Sequence, residues 1–86
     1  MEKLQFMPSA QAHIVRNPNR ISLVSYTTTV CEIIDGVLMV YGLYSMTTRK
    51  HIGAFCRQFG LEYSIAKTCY ESNLGYNIIT REFVGV

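Results

Sequence analysis

Charge is scarce in this sequence. Asp, Glu, Lys and Arg make up 16% of its 86 residues, against 49% apolar types. That balance excludes an intrinsically disordered chain, which stays unfolded through low hydrophobicity and high net charge. Long apolar runs are missing too: the longest covers only residues 37–41, whereas a membrane-spanning helix needs about 20. The opening string Met1-Glu-Lys-Leu-Gln-Phe lacks the apolar stretch and small-residue cleavage site of a secretory signal. The expectation is a soluble intracellular protein with one domain, residues 1–86. Its core is thin, since a chain of this size buries about 60% of its unfolded surface.

Paired cysteines are also lacking. Cys31, Cys56 and Cys69 are odd in number and widely spaced, with no CxxC, which argues against a disulfide framework. Each has an apolar neighbour, so all three read as reduced, buried thiols. A zinc site drawing on His13 or His51 would need four ligands, normally in close pairs. No pair here has that spacing, and His51 and Cys56, five apart, do not share a helical face. No metal and no cofactor are expected. The strings of common catalytic sites are absent: no G-x-S-x-G, no Walker loop, no G-x-G-x-x-G and no HExxH. The six carboxylates are scattered at Glu2, Glu32, Asp35, Glu62, Glu71 and Glu82, and nothing marks a cysteine as activated. No catalytic residue is assigned, and the chain reads as a non-enzyme.

What is present is a strand pattern. Residues 21–34 are rich in β-branched and aromatic types, which suit a pleated surface. Asp35-Gly36 follows, then a second such run, 37–44. Asp-Gly between two runs of this kind signals a hairpin, because a type I′ turn needs positive φ at both central positions. Two long antiparallel strands are predicted, joined there. In the second strand Val37, Met39, Tyr41 and Leu43 alternate with Leu38, Val40, Gly42 and Tyr44, and neither set is polar. Both faces therefore need cover. One helix covers part of that area, which leaves Leu38, Val40, Tyr41 and Tyr44 as candidates for contact with another chain.

Residues 46–60 switch to helical period. Thr47 or Thr48 suits the N-cap, Ile52, Phe55, Cys56 and Phe59 form an apolar stripe, and Gly60 suits a left-handed C′ position. The opposite side carries Arg49, Lys50 and Arg57 around Gly53. Such a side is ordinarily the solvated face of an amphipathic helix, but it also has the chemistry to grip phosphates. Six tyrosines suit base stacking and protein hot spots equally. The net charge of +2 is too near balance to demand a nucleic-acid partner. Two similar hydroxyl strings, residues 25–29 and 44–48, suit strands and helix caps.

The flanks are less regular. Residues 1–19 read as a partly mobile arm with turns at Pro8-Ser9-Ala10 and Asn17-Pro18-Asn19 and, between them, a short strand or a single helical turn at residues 10–15. Residues 63–70 admit a strand or a short helix capped by Ser64, with the strand favoured. Residues 71–77 look turn-like and 76–84 like a final strand. The predicted fold is α+β: an antiparallel hairpin, one amphipathic helix packed on the sheet, then a C-terminal hairpin, in the order ββαββ.

The strings Ser25-Tyr26-x-Thr28-x-Val30 and Tyr44-Ser45-x-Thr47-Thr48-x-x-His51-Ile52-x-x-Phe55, closing at Gly60, resemble a family of small phage and prophage proteins known as a domain of unknown function. The resemblance implies a hairpin followed by a helix, a mobile-element origin and expression in a host bacterial cytoplasm. It implies no reaction. It singles out His51 as a motif position, whose ordinary role is a hydrogen bond to the hairpin or to residues 44–48. The expected function is that of a phage accessory protein acting by binding another protein, from host or phage, with a homodimer through the hairpin. The alternative is nucleic-acid binding by Arg49, Lys50 and Arg57. No membrane partner is expected.

Overall fold

The computed structural model describes residues 2–8 and 11–86; Ser9 and Ala10 of the first expected turn lie outside them. The strand-rich half folds into four strands: β1 (Ala12–Asn17), β2 (Arg20–Ser25), β3 (Thr28–Ile34) and β4 (Val37–Val40). The turn at Asp35-Gly36 is where the sequence places it, with φ of 51° and 81°, as a type I′ turn requires. Two expectations are corrected. Residues 12–17 are no mobile arm: they pair with β2 from Ala12↔Ser25 to Asn17↔Arg20. The segment ahead of them is tied down as well, since the Ile14 N–H donates to the Glu2 carbonyl at 2.8 Å and Leu4 is buried in the core. The expected single strand 21–34 is in fact two, divided at Tyr26-Thr27. Tyr26 takes φ 58°, a conformation a bulky residue seldom adopts, and its N–H donates to the Gln11 carbonyl.

Helix α1 (Met46–Gln58) stands as predicted, but its cap is Ser45, whose Oγ accepts from the Thr48 N–H at 3.2 Å. Thr47 and Thr48 lie inside the helix. At its other end the Leu61 N–H reaches the Cys56 carbonyl and the Gly60 N–H reaches Arg57. With Gly60 at φ 76°, this is a Schellman close. Residues 63–70 fold as helix, in α2 (Tyr63–Ser72), and not as the favoured strand. Ala66 and Cys69, three apart, are both buried, and Asn73 ends the helix in the left-handed region. Glu62, and not Ser64, occupies the N-cap position. The expected last strand is also split, into β5 (Leu74–Asn77) and β6 (Glu82–Gly85). Asn77 Oδ1 accepts from the N–H groups of Ile79 and Thr80, a local bond that favours turning over continuation.

The protein is α+β, but its order is ββββααββ in place of ββαββ. All six strands form one antiparallel sheet in sequence order, β1 to β6. Helix α1 packs on β2 and β3, α2 packs on β4 and β5, and the helices touch each other. Period-two alternation then assigns the faces. Ala12, Ile14, Leu23, Cys31, Ile33, Leu38 and Tyr76 point into the core with Ile52, Phe55 and Cys56. The other face has no second layer among the described residues. Among them, no helix is long and apolar enough to cross a membrane.

Candidate functional site

Three places gather polar chemistry. The first lies where α1 crosses β2. His51 is fully buried, its Nδ1 is 2.9 Å from Ser25 Oγ, and Ser25 Oγ is 3.1 Å from Thr48 Oγ1. Thr48 Oγ1 in turn lies 3.3 Å from the Ser45 hydroxyl. His51 Nε2 is buried with no hydrogen-bond partner among the described residues, and burial holds the imidazole pKa below its ordinary 6.5. These contacts join both hydroxyl strings of the sequence to the imidazole and tie helix to sheet. The Tyr26 ring stands 6.1 Å from the His51 ring. A serine beside a histidine has the elements of nucleophilic catalysis, but Ser25 is only 2% exposed and His51 is sealed, so neither meets a substrate in this conformation.

The second place is the open sheet face. Ser22, Glu32 and Met39 sit side by side in register, as do Ile34, Val37 and Asn77. Val15, Val24 and Val84 continue the same side. At its centre Glu32 accepts hydrogen bonds from the Ser22 hydroxyl and, at 2.6 Å, from the Tyr41 hydroxyl, with Arg20 3.6 Å away. Burial by itself would raise the Glu32 pKa. The bonds from Ser22 and Tyr41, with the Arg20 charge, outweigh it and hold the carboxyl below its usual 4.5. Burial and the bond to Glu32 push the Tyr41 phenol up to about 12.

Of the four residues predicted for partner contact, the structure separates two from two. Leu38 is fully buried beneath α2, and Val40, on the same side, is partly buried against the core. Leu38 therefore serves folding and offers nothing to a partner. Tyr41 stands exposed on the open face and Tyr44, 61% exposed, in the loop before α1. Sequence reasoning missed Val24, Ile34 and Val84 as surface residues. A signal for Ile34 was available, because it sits one turn away from Val37 across Asp35-Gly36 and must share its face.

The third place is the outer side of α1. Arg49, Lys50 and Arg57 are all exposed there, as predicted. Lys67 on α2 joins them, which sequence alone did not establish. A groove of about 430 Å³ between the helices is lined by Met46, Arg49, Lys50, Gly53, Tyr63 and Lys67. A second hollow of about 290 Å³ adds Phe6, Met7 and Arg57 and shares Lys50 and Gly53. The Arg57 guanidinium lies over the Phe6 ring, 4.6 Å from its centre. Among the described residues no carboxylate is within ion-pairing distance of these four cations; the pairs present are Arg16–Glu2 and Arg20–Glu32.

Cys31, Cys56 and Cys69 are free and buried. Among the described residues, no three metal-ligating side chains converge. A family model described as a family of unknown function (DUF8033) matches residues 3–72. The match takes in β1 to β4 and both helices. No curated protein and no solved structure matches.

Proposed function

The chain belongs to the family of unknown function DUF8033, and from that premise we propose a small phage-type accessory protein that acts without catalysis, by docking proteins on its open sheet face. The phage assignment and the host cytoplasm rest on the motif strings around Ser25 and His51. The docking reading rests on one observation: Val15, which is exposed, and the half-buried Val24, Ile34, Val37, Met39 and Val84 share a sheet face on which neither helix packs. Apolar side chains grouped on one such face, here around the Glu32 cluster, are a common mark of an interface.

The first occupant in this reading is a second copy of the chain. Arg20 and Glu32 lie close together on that face, so two such faces meet without net repulsion. A twofold axis makes the contact self-complementary. Exposed Tyr41 adds an aromatic anchor of the type that dominates interfaces. Light scattering after size exclusion tests this. Wild type should elute with the mass of two 9.8 kDa chains, in high salt as in low. Met39→Lys, at a half-buried position, should elute as one chain with an unchanged far-UV spectrum. A wild-type protein that stays single at its highest soluble concentration overturns the reading.

A further inference from the structure

Four cations, Arg49, Lys50, Arg57 and Lys67, lie together with no carboxylate partner among the described residues. Among the described residues the ion pairs, Arg16 with Glu2 and Arg20 with Glu32, lie away from this group. Helix α1 contains no acidic residue at all. Its cations line two hollows that meet at Lys50 and Gly53, where the Tyr63 side chain lies close against α1. A path therefore runs from Lys67 and Tyr63, past Arg49 and Lys50, across Gly53 to Arg57 and Phe6. On α1 alone, Arg49 to Arg57 spans about 12 Å at 1.5 Å per residue. That equals roughly three to four stacked nucleotides at 3.4 Å each.

We propose that this path binds single-stranded nucleic acid, with Arg49, Lys50, Arg57 and Lys67 on the phosphates and the Tyr63 and Phe6 rings beside the bases. The charge complementarity names a polyanion, and the position of the rings selects a single strand. One aromatic residue lines each hollow, Tyr63 half-buried and Phe6 with the Arg57 guanidinium over one ring face, and the ring surface left open can take unpaired bases; a duplex keeps its bases stacked inside and would use the cations alone. The site is on the far side of the helices from the open sheet face, so it stands or falls independently of the docking proposed there.

Fluorescence anisotropy with labelled oligothymidylate decides it. Four phosphate contacts predict a slope of about −2.8 in log affinity against log salt, or about 50-fold weaker binding between ~50 and ~200 mM. Arg49→Ala and Lys67→Ala, both exposed positions, should each flatten that slope by about 0.7. Arg81→Ala, in the turn between β5 and β6, should leave it unchanged. A duplex of the same length should bind more weakly than the single strand. Absence of binding at ~50 mM salt, equal loss from Arg81→Ala, or a duplex bound at least as tightly overturns the proposal.

Discussion

Acid should weaken this fold through His51, and replacing that residue should remove the effect. The imidazole is fully buried, with one nitrogen bonded to Ser25 and the other without a partner among the described residues. Protonation would place a charge, and a second donor, where nothing receives them. Burial therefore holds the folded-state pKa below 6.5, while the unfolded chain takes up the proton near that ordinary value. The sign follows by linkage. The stability that depends on neutral His51 is complete above about 6.5 and is lost as pH falls from there towards the folded-state value. One proton limits the loss to about 1.4 kcal/mol per pH unit. In His51→Leu the protein gives up one hydrogen bond, about 1 kcal/mol, and is relieved of an unpaired buried nitrogen, about 1–3 kcal/mol. The two nearly offset, so the variant should match wild type within about 2 kcal/mol near neutrality. Relative to wild type it should gain up to about 1.4 kcal/mol between neutral pH and pH ~5.5. Urea unfolding followed by far-UV circular dichroism, at one protein concentration because self-association shifts apparent stability, measures both. A variant that keeps the wild-type pH slope refutes the reasoning. A second acid transition belongs to Glu32 and Glu2. Both carboxyls sit below their usual 4.5, so their stabilisation is present above that value and lost beneath it. Glu32→Gln should flatten this lower limb and leave the His51 limb intact.

Two further outcomes follow from packing. A Cβ on Gly75 would lie 2.7 Å from Val37 Cγ1, 2.8 Å from Val86 Cγ1 and 3.3 Å from the Leu38 carbonyl oxygen. Gly75→Ala should therefore cost about 1–3 kcal/mol, visible as a fall of several degrees in a thermal melt; an unchanged melting temperature refutes the close approach. The thiols should resist disulfide reagents in the native state, since burial pushes Cys56 up to about 12 and Cys69 to about 11, and Cys31 well above its ordinary value. Labelling should track unfolding in urea, and rapid reaction of one thiol without denaturant counts against the sealed core.

Local signals and tertiary context divide this fold between them. The Asp35-Gly36 turn, helix α1 and its Gly60 close were legible because each is encoded within a few residues: positive φ, a 3.6 period, a glycine after the last turn. The Asn17-Pro18-Asn19 turn was legible for the same reason. The break at Tyr26 was not, because tyrosine carries no preference for positive φ; a backbone bond to Gln11 and the neighbouring His51 ring accompany that turn. Helix α2 was misread because Thr, Ile and Tyr suit strands, while burial of Ala66 and Cys69 against the sheet and α1 favours the helix. Likewise the alternation in 37–44 showed that both strand faces are apolar, but not which one the helices take.

The amino-acid sequence by itself determined an α+β chain with a tight hairpin at Asp35-Gly36, a basic helix closed at Gly60, buried cysteines and a histidine bonded to the strand that carries Ser25. Only the tertiary structure decided that Leu38 is core while Met39 and Tyr41 face outward, that Lys67 joins Arg49, Lys50 and Arg57, and that Glu32 is held by Ser22, Tyr41 and Arg20. The reason is physical. Turn geometry and helical period act over neighbouring residues, whereas the choice between two apolar faces, and the meeting of charges from separate helices, depends on where the remaining chain packs.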